Sequence, residues 1–338
     1  MRPTGLGRFA LALAVPLSLP VGGAWADAGV PPAEQRRIEA ACAEGSGFDV
    51  AGAHIVTEFD ASAYGVGPQA LCNWLVRAAL AVSSYYGRFP VDVVRIVLRP
   101  VDGSAVHGTT YGHSSDGRSL IVMRLGRDAT PTQLANDWTL THEMVHLSVP
   151  SVPRNSHWLE EGIATYVEPI ARAQRGELSQ ERIWADMLHG MPKGLPAEND
   201  HGLDNTPTWG RTYWGGALFC LLADVQIRKQ SQNRKGLQDA LRGVLDAGGS
   251  IRVDWPVERV LAAGDAATGT TVLVNLYHRL ADSPAPASDE LDALWQALGV
   301  RAEASGVHFD DAAPLAATRH AITAPHSPLA FAKEEPST

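Results

Sequence analysis

Two histidines four residues apart, with a glutamate directly after the first, carry the most specific chemistry in this 338-residue chain. The run is His142-Glu143-Met144-Val145-His146. On a helix this spacing is about 400° of rotation, so both imidazoles project from one face. Neutral imidazole nitrogen is a good ligand for Zn²⁺, and a rigid helix sets the separation of the pair. Glu143 lies one step round, beside the cation rather than on it, where it can take a proton from an activated water. Trp138, Leu140, Met144, Val145 and Leu147 surround the motif with apolar side chains and predict a buried helix. Buried imidazole and carboxylate groups need partners, and a divalent cation is one.

A catalytic zinc site takes a third protein ligand and leaves one position open. A Gly three residues and a His six residues past His146 would make one such arrangement, but Val149 and Val152 stand there. A second motif starts a short loop later, Trp158-Leu159-Glu160-Glu161-Gly162-Ile163-Ala164-Thr165-Tyr166. Glu160 or Glu161 could be the ligand, and the helix macrodipole favours a carboxylate at either position. Gly162 permits close approach of another helix beside Glu161. Thr165, one turn on, is expected to hydrogen-bond a ligand.

Together the two motifs resemble those of the gluzincin zinc metallopeptidases, which include thermolysin-like and aminopeptidase-N-like enzymes and whose second motif often reads W-L-x-E-G-x-A. The resemblance covers about residues 106–222. It implies Zn²⁺ held by His142, His146 and Glu161, with Glu143 as general base. The link between His146 and Glu161 is shorter than in the aminopeptidase branch, so a bacterial peptidase-MA-like family is the better match. Thr212-Tyr213-Trp214-Gly215-Gly216 resembles the family's Tyr-x-x-Gly segment. That likeness implies Tyr213 as the donor to the oxyanion, although a Tyr at a helix start equally suits an amphipathic core position. His201 and Arg211 are alternative donors from the same region. His157 is expected to be structural, and His54, His107, His113, His189, His278, His308, His320 and His326 have no ligand spacing. The resemblance further implies an edge strand near 106–112 that pairs with extended substrate. The family's G-x-M-x-N strand motif is missing there, so nothing points to exopeptidase action.

The elements that must position these residues are readable in outline. Helices are expected over 32–42, 68–86 and 130–148, the last with Thr130 as N-cap and Pro131 in its first turn. Strands are expected over 53–59, 91–98, 105–111 and 120–125, with the turn Ser114-Ser115-Asp116-Gly117 between the last two. Beyond Pro150 the pattern is almost entirely helical: 156–167, 213–229, 237–246, 256–262, 270–281 and 288–298. The stretch Met191 to Trp209, rich in Pro, Gly, Asn and Asp, reads as a long surface loop and a candidate lid. The expected class is α+β, and the resemblance implies a thermolysin-like zincin core. Its N-terminal mixed α/β half, with a small twisted sheet, precedes a mainly helical half.

Targeting and composition complete the reading. Arg2 and Arg8, an apolar run from Phe9 to Val21 and the small-residue site Ala24-Trp25-Ala26 form a signal-peptide pattern. The expected divisions are a signal peptide at 1–26, an α/β half at 27–150 carrying the His-Glu-x-x-His helix, a helical half at 151–324 and a disordered tail at 325–338. Export to the periplasm or cell exterior follows, and no span is expected in the mature chain. An oxidising compartment would let Cys42 and Cys72 pair, and free buried thiols are the alternative. Cys220 sits in an apolar run as a core residue. A net charge of −9 argues against nucleic acid as a partner. Three cysteines are too few for a disulfide scaffold or an all-thiolate cluster. The expectation is an exported zinc peptidase with a peptide or protein substrate. Its rivals are a catalytically silent zinc-binding protein and a zinc amidase acting on a non-peptide substrate.

Overall fold

The structure, a computed structural model, describes residues 31–113, 117–304 and 306–325. The signal segment at 1–26, most of the expected turn at 114–117 and the tail past residue 325 lie outside the described residues. The chain divides into two compact units, the first ending at Asp137 and the second running over Trp138–Ala324. This division falls earlier than the one expected after residue 150. It places the His-Glu-x-x-His helix in the helical unit.

The first unit holds helix α1 (Pro32–Glu44), strands β1 (Gly47–Val50) and β2 (Ala53–Glu58), helix α2 (Pro68–Tyr86), strands β3 (Val93–Val101), β4 (Val106–His113) and β5 (Ser119–Gly126), and helix α3 (Pro131–Asn136). The strands form one mixed sheet in the order β1-β2-β3-β5-β4. β2, β3 and β5 run parallel in the middle, and β1 and β4 are antiparallel edges. Alternate residues Ile55, Val94, Ile96, Ile121, Met123 and Leu125 are buried, as the two-residue period of a half-covered sheet requires. α2 opens on Pro68 and closes on Gly87 in the left-handed region, φ 78°, and is buried along most of its length. A Cys42–Cys72 disulfide ties α1 to α2, so of the two alternatives for these cysteines the paired one holds. β1 was not expected from the sequence, because four residues show too little alternation to stand out.

The single helix expected over 130–148 is two. α3 has the capping box, with Thr130 and Gln133 satisfying each other's backbone donors. It then stops, because Asp137 is extended (ψ 131°) and its carboxylate accepts a hydrogen bond from Trp74 Nε1 at 3.0 Å.

The second unit starts with α4 (Thr139–His146) and α5 (His157–Gln174). After α6 (Gln180–Gly190) and a π-helical turn at Gly210–Gly215 come α7 (Gly216–Ser231), α8 (Leu237–Asp246), α9 (Val257–Thr268), α10 (Val272–Leu280) and α11 (Ser288–Leu298). A small antiparallel hairpin, β6 (Val300–Glu303) and β7 (Gly306–Phe309), and α12 (Ala316–Thr323) close it. α5 and α7 are its buried centre. Asp224 on α7 accepts hydrogen bonds from Tyr166 on α5 (3.0 Å), from Arg228 one turn on (2.8 Å) and from the Leu237 N–H at the start of α8 (2.9 Å). One carboxylate thus joins three helices. The whole is α+β as expected, a mixed sheet in the N-terminal unit followed by a helical unit. No described helix is long and apolar enough to cross a membrane.

Candidate metal centre

α4 and α5 pack together, and the three expected ligands meet where they do. His142, His146 and Glu161 are buried, and their ligating atoms all lie within 4.8 Å of one another. His142 Nε2 is 3.2 Å and His146 Nε2 3.5 Å from the same oxygen, Glu161 Oε2. A tetrahedral zinc with ligands at ~2.05 Å has ligand-to-ligand edges of about 3.3 Å, so these separations fit that ion. Two imidazoles and one carboxylate are also a donor set typical of catalytic zinc. Glu143, on the same helix as the two histidines, is buried beside them.

The electrostatics match this convergence. Burial would raise the Glu161 pKa, but the charge on His146 and hydrogen bonds from His142, His146 and His157 overcome it and hold the carboxyl well below its usual range. His146 is the counterpart: burial opposes its charge, and Glu161 wins and raises it. Glu161 is therefore ionised and ready to ligate a cation.

Neighbouring residues have separate tasks. Glu160, the alternative ligand, points elsewhere, because one helical step is a turn of about 100°. Its Oε1 accepts the Val152 N–H at 2.9 Å and its Oε2 lies 3.2 Å from His157 Nδ1. His157 is more than the structural residue expected of it, since its Nε2 is 3.1 Å from Glu161 Oε1. Burial lowers its pKa, but hydrogen bonds to Glu160 and Glu161 and their charges raise it to about 9. The His157-to-Glu161 spacing of one helical turn was the available signal for this contact. Thr165, expected to brace a ligand, has a buried hydroxyl with no hydrogen-bond partner among the described residues.

Gly162 explains how α5 and α7 approach so closely. A Cβ on Gly162 would sit 2.3 Å from the Gly216 carbonyl carbon, and one on Gly216 would sit 2.2 Å from the Trp158 carbonyl oxygen. Two facing glycines let the backbones touch. That brings the π-helical turn, and Tyr213 in it, up to the ligand group. The Tyr213 ring stacks 6.3 Å from the His142 ring at 18°. Burial, the Glu161 and Glu143 charges and a hydrogen bond to Glu161 push the Tyr213 pKa up, so the phenol keeps its proton.

Arg211 and His201, the other oxyanion candidates, do not join this group. Arg211 is buried, 2.9 Å from Asp200, and donates to the carbonyls of Gly194 (2.6 Å) and Ala285 (3.2 Å). His201 is exposed, and its backbone N–H donates to Thr206. The stretch from Met191 to Trp209 is mostly exposed, as expected of a surface loop, but it is anchored at several buried points. Met191, Gly194, Asp200 and Leu203 are buried, and Asp204 accepts hydrogen bonds from Trp158 Nε1 (2.6 Å), Ser156 Oγ (3.1 Å) and Tyr277 OH (2.8 Å). The loop is pinned by the carboxylates of buried Asp200 and half-buried Asp204, which composition alone does not reveal.

No family model and no curated protein matches the chain. Solved structures do, at low identity. An M1 zinc metallopeptidase from Deinococcus radiodurans is 16% identical, with a TM-score of 0.44 over 70% of this chain and 49% of that one. A mutant of the Deinococcus radiodurans M1 zinc metallopeptidase bound to a Tyr-Ser-Ala substrate is 16% identical, with a TM-score of 0.44 over 69% of this chain and 49% of that one. An aminopeptidase N family protein from Idiomarina loihiensis is 14% identical, with a TM-score of 0.49 over 75% of this chain and 49% of that one. The chain spans about half the length of these structures.

Proposed function

We propose that this protein is a zinc-dependent peptidase of gluzincin type, exported from the cytoplasm and acting on peptide or protein substrates. The observation that carries the reading is the meeting of His142, His146 and Glu161 within 4.8 Å, with Glu143 buried on the same helix as the two histidines. His142, His146 and Glu161 would hold a zinc ion, which would supply Lewis-acid polarisation of the scissile carbonyl and activation of water. The Glu143 carboxylate takes the proton of the attacking water and delivers it to the leaving amine nitrogen. Tyr213, kept protonated by its surroundings, donates its hydroxyl hydrogen to the oxyanion of the tetrahedral intermediate. Burial excludes bulk water from these exchanges and strengthens each of them.

Export is supported by the N-terminal signal pattern and by the Cys42–Cys72 disulfide, a bond typical of oxidising compartments. The exported protein is expected to begin at Asp27, which intact mass measurement checks. For the activity, the wild-type protein should contain about one zinc per chain and cleave casein until a chelator is added. Glu143→Gln should keep the zinc and lose at least about 10²-fold in rate. Wild-type rates from that variant would remove Glu143 as the base, and a zinc-free, chelator-indifferent wild type would remove the whole reading.

A further inference from the structure

The helical unit buries Trp158, Trp184, Trp255 and Trp295. Among the described residues, two large hydrophobic side chains stay exposed, Trp138 at 41% and Trp209 at 53%. Both lie beside the candidate metal centre. Trp138 meets the His142 ring edge-on at 5.4 Å. Trp209 stacks on the Tyr213 ring at 5.8 Å and 27°. Since His142 and Tyr213 stack on each other, the four rings form one continuous row with an exposed tryptophan at each end. Isolated exposed apolar residues are ordinary on any surface. Two tryptophans in ring contact with the same ligand-and-donor pair are a shaped apolar surface.

We propose that Trp138 and Trp209 form an aromatic subsite that receives large apolar side chains next to the scissile bond, so that the substrates are peptides carrying Phe, Tyr, Trp, Leu or Met there. The inference rests on the peptidase reading above. With the reacting carbonyl at the ligand group, beside His142 and Tyr213, an extended substrate would advance about 3.3 Å per residue. Rings that touch His142 and Tyr213 at 5.4 and 5.8 Å are therefore reached by side chains one or two residues from the bond. An apolar side chain laid on an exposed indole removes apolar surface of both from water, and an aromatic one extends the existing row by offset or edge contact.

The test uses the zinc-loaded full chain and peptides that differ only in the residues flanking the scissile bond, with Phe, Leu, Ala or Lys there. Phe and Leu peptides are expected to exceed the Ala peptide in kcat/KM by at least about 10-fold. This ratio should fall to about 1–2 in Trp138→Ala and Trp209→Ala and stay within about threefold of wild type in the corresponding Trp→Phe variants. A preference for Lys, or a ratio that neither alanine variant changes, overturns the proposal. A second arm measures binding of the same peptides by calorimetry to Glu143→Gln, with and without each Trp→Ala change. If the wild type cleaves nothing but this binding still favours Phe over Ala and loses the difference with the tryptophans, the subsite stands and the peptidase reading fails. If binding shows no such difference, the subsite fails whatever the turnover.

Discussion

Glu161 divides its two oxygens between two tasks. Oε2 faces His142 and His146, while Oε1 lies 3.1 Å from His157 Nε2. His157 is held in turn by Glu160 through Nδ1 at 3.2 Å, and Glu160 by the Val152 N–H at 2.9 Å. A carboxylate fixed at one oxygen presents the other in one direction, and partners behind a ligand of this kind are worth about 10–100-fold in metal affinity. His157→Ala is therefore expected to weaken zinc binding by that factor, read by competition with a chromogenic chelator, while Glu161→Ala loses the metal altogether. Unchanged affinity in His157→Ala would reduce the histidine to packing. The meeting of the three candidate ligands was readable because each motif writes its geometry into local spacing: His142 and His146 share a face, and Glu161 stands before a glycine. The role of Arg211 was not readable in the same way. Its fate is decided by Asp200, Gly194 and Ala285, which lie 11, 17 and 74 residues away and meet it only after folding.

Between elements, the contact of α5 with α7 sets the position of the site. It depends on Gly162 and Gly216, whose missing side chains let two helix backbones touch. The atoms in the way at Gly162 are backbone, which cannot swing aside as a side chain can, so Gly162→Ala forces the helices apart. The expected loss is about 1–3 kcal/mol or more in urea unfolding. Because Glu161 adjoins Gly162, and Tyr213 lies just ahead of Gly216, zinc affinity and activity should fall together with stability. A variant as stable as wild type would show that the helices have room to spare. Elements with clear punctuation were readable from the sequence: α2 between Pro68 and Gly87, α8 before Gly248-Gly249, and α11 ending at Gly299. The break after α3 was not, because it turns on the hydrogen bond from Trp74 to Asp137. The strands β6 and β7 are four residues each, too short for the alternation of Val307 and Phe309 in β7 to stand out. α6 did carry one, in Ile183, Trp184 and Met187, and Ser179 as its N-cap is a signal that could have found it.

Across the whole molecule, labour is divided by unit. His142, Glu143, His146, Glu161 and Tyr213 all belong to Trp138–Ala324, whereas the sheet and the disulfide belong to the unit before it. That first unit is small, and small cores benefit most from a covalent tie. The Cys42–Cys72 bond joins two helices across a sequence separation of 30. Loop-closure entropy for a loop of that size corresponds to about 3–4 kcal/mol taken from the unfolded state. Both cysteines are buried, so the bond persists in the folded chain unless the unit opens. The double variant Cys42→Ser/Cys72→Ser should lose this stabilisation locally. Amide exchange in α2 through the opening of the first unit is expected to speed up by about 10²–10³-fold, while amides of α5 and α7 keep their protection. Zinc affinity should stay within about twofold of wild type, since the candidate ligands His142, His146 and Glu161 all lie in the other unit. Equal acceleration in both units would mean that they unfold as one cooperative body, and the disulfide would then support the metal centre as well as the sheet.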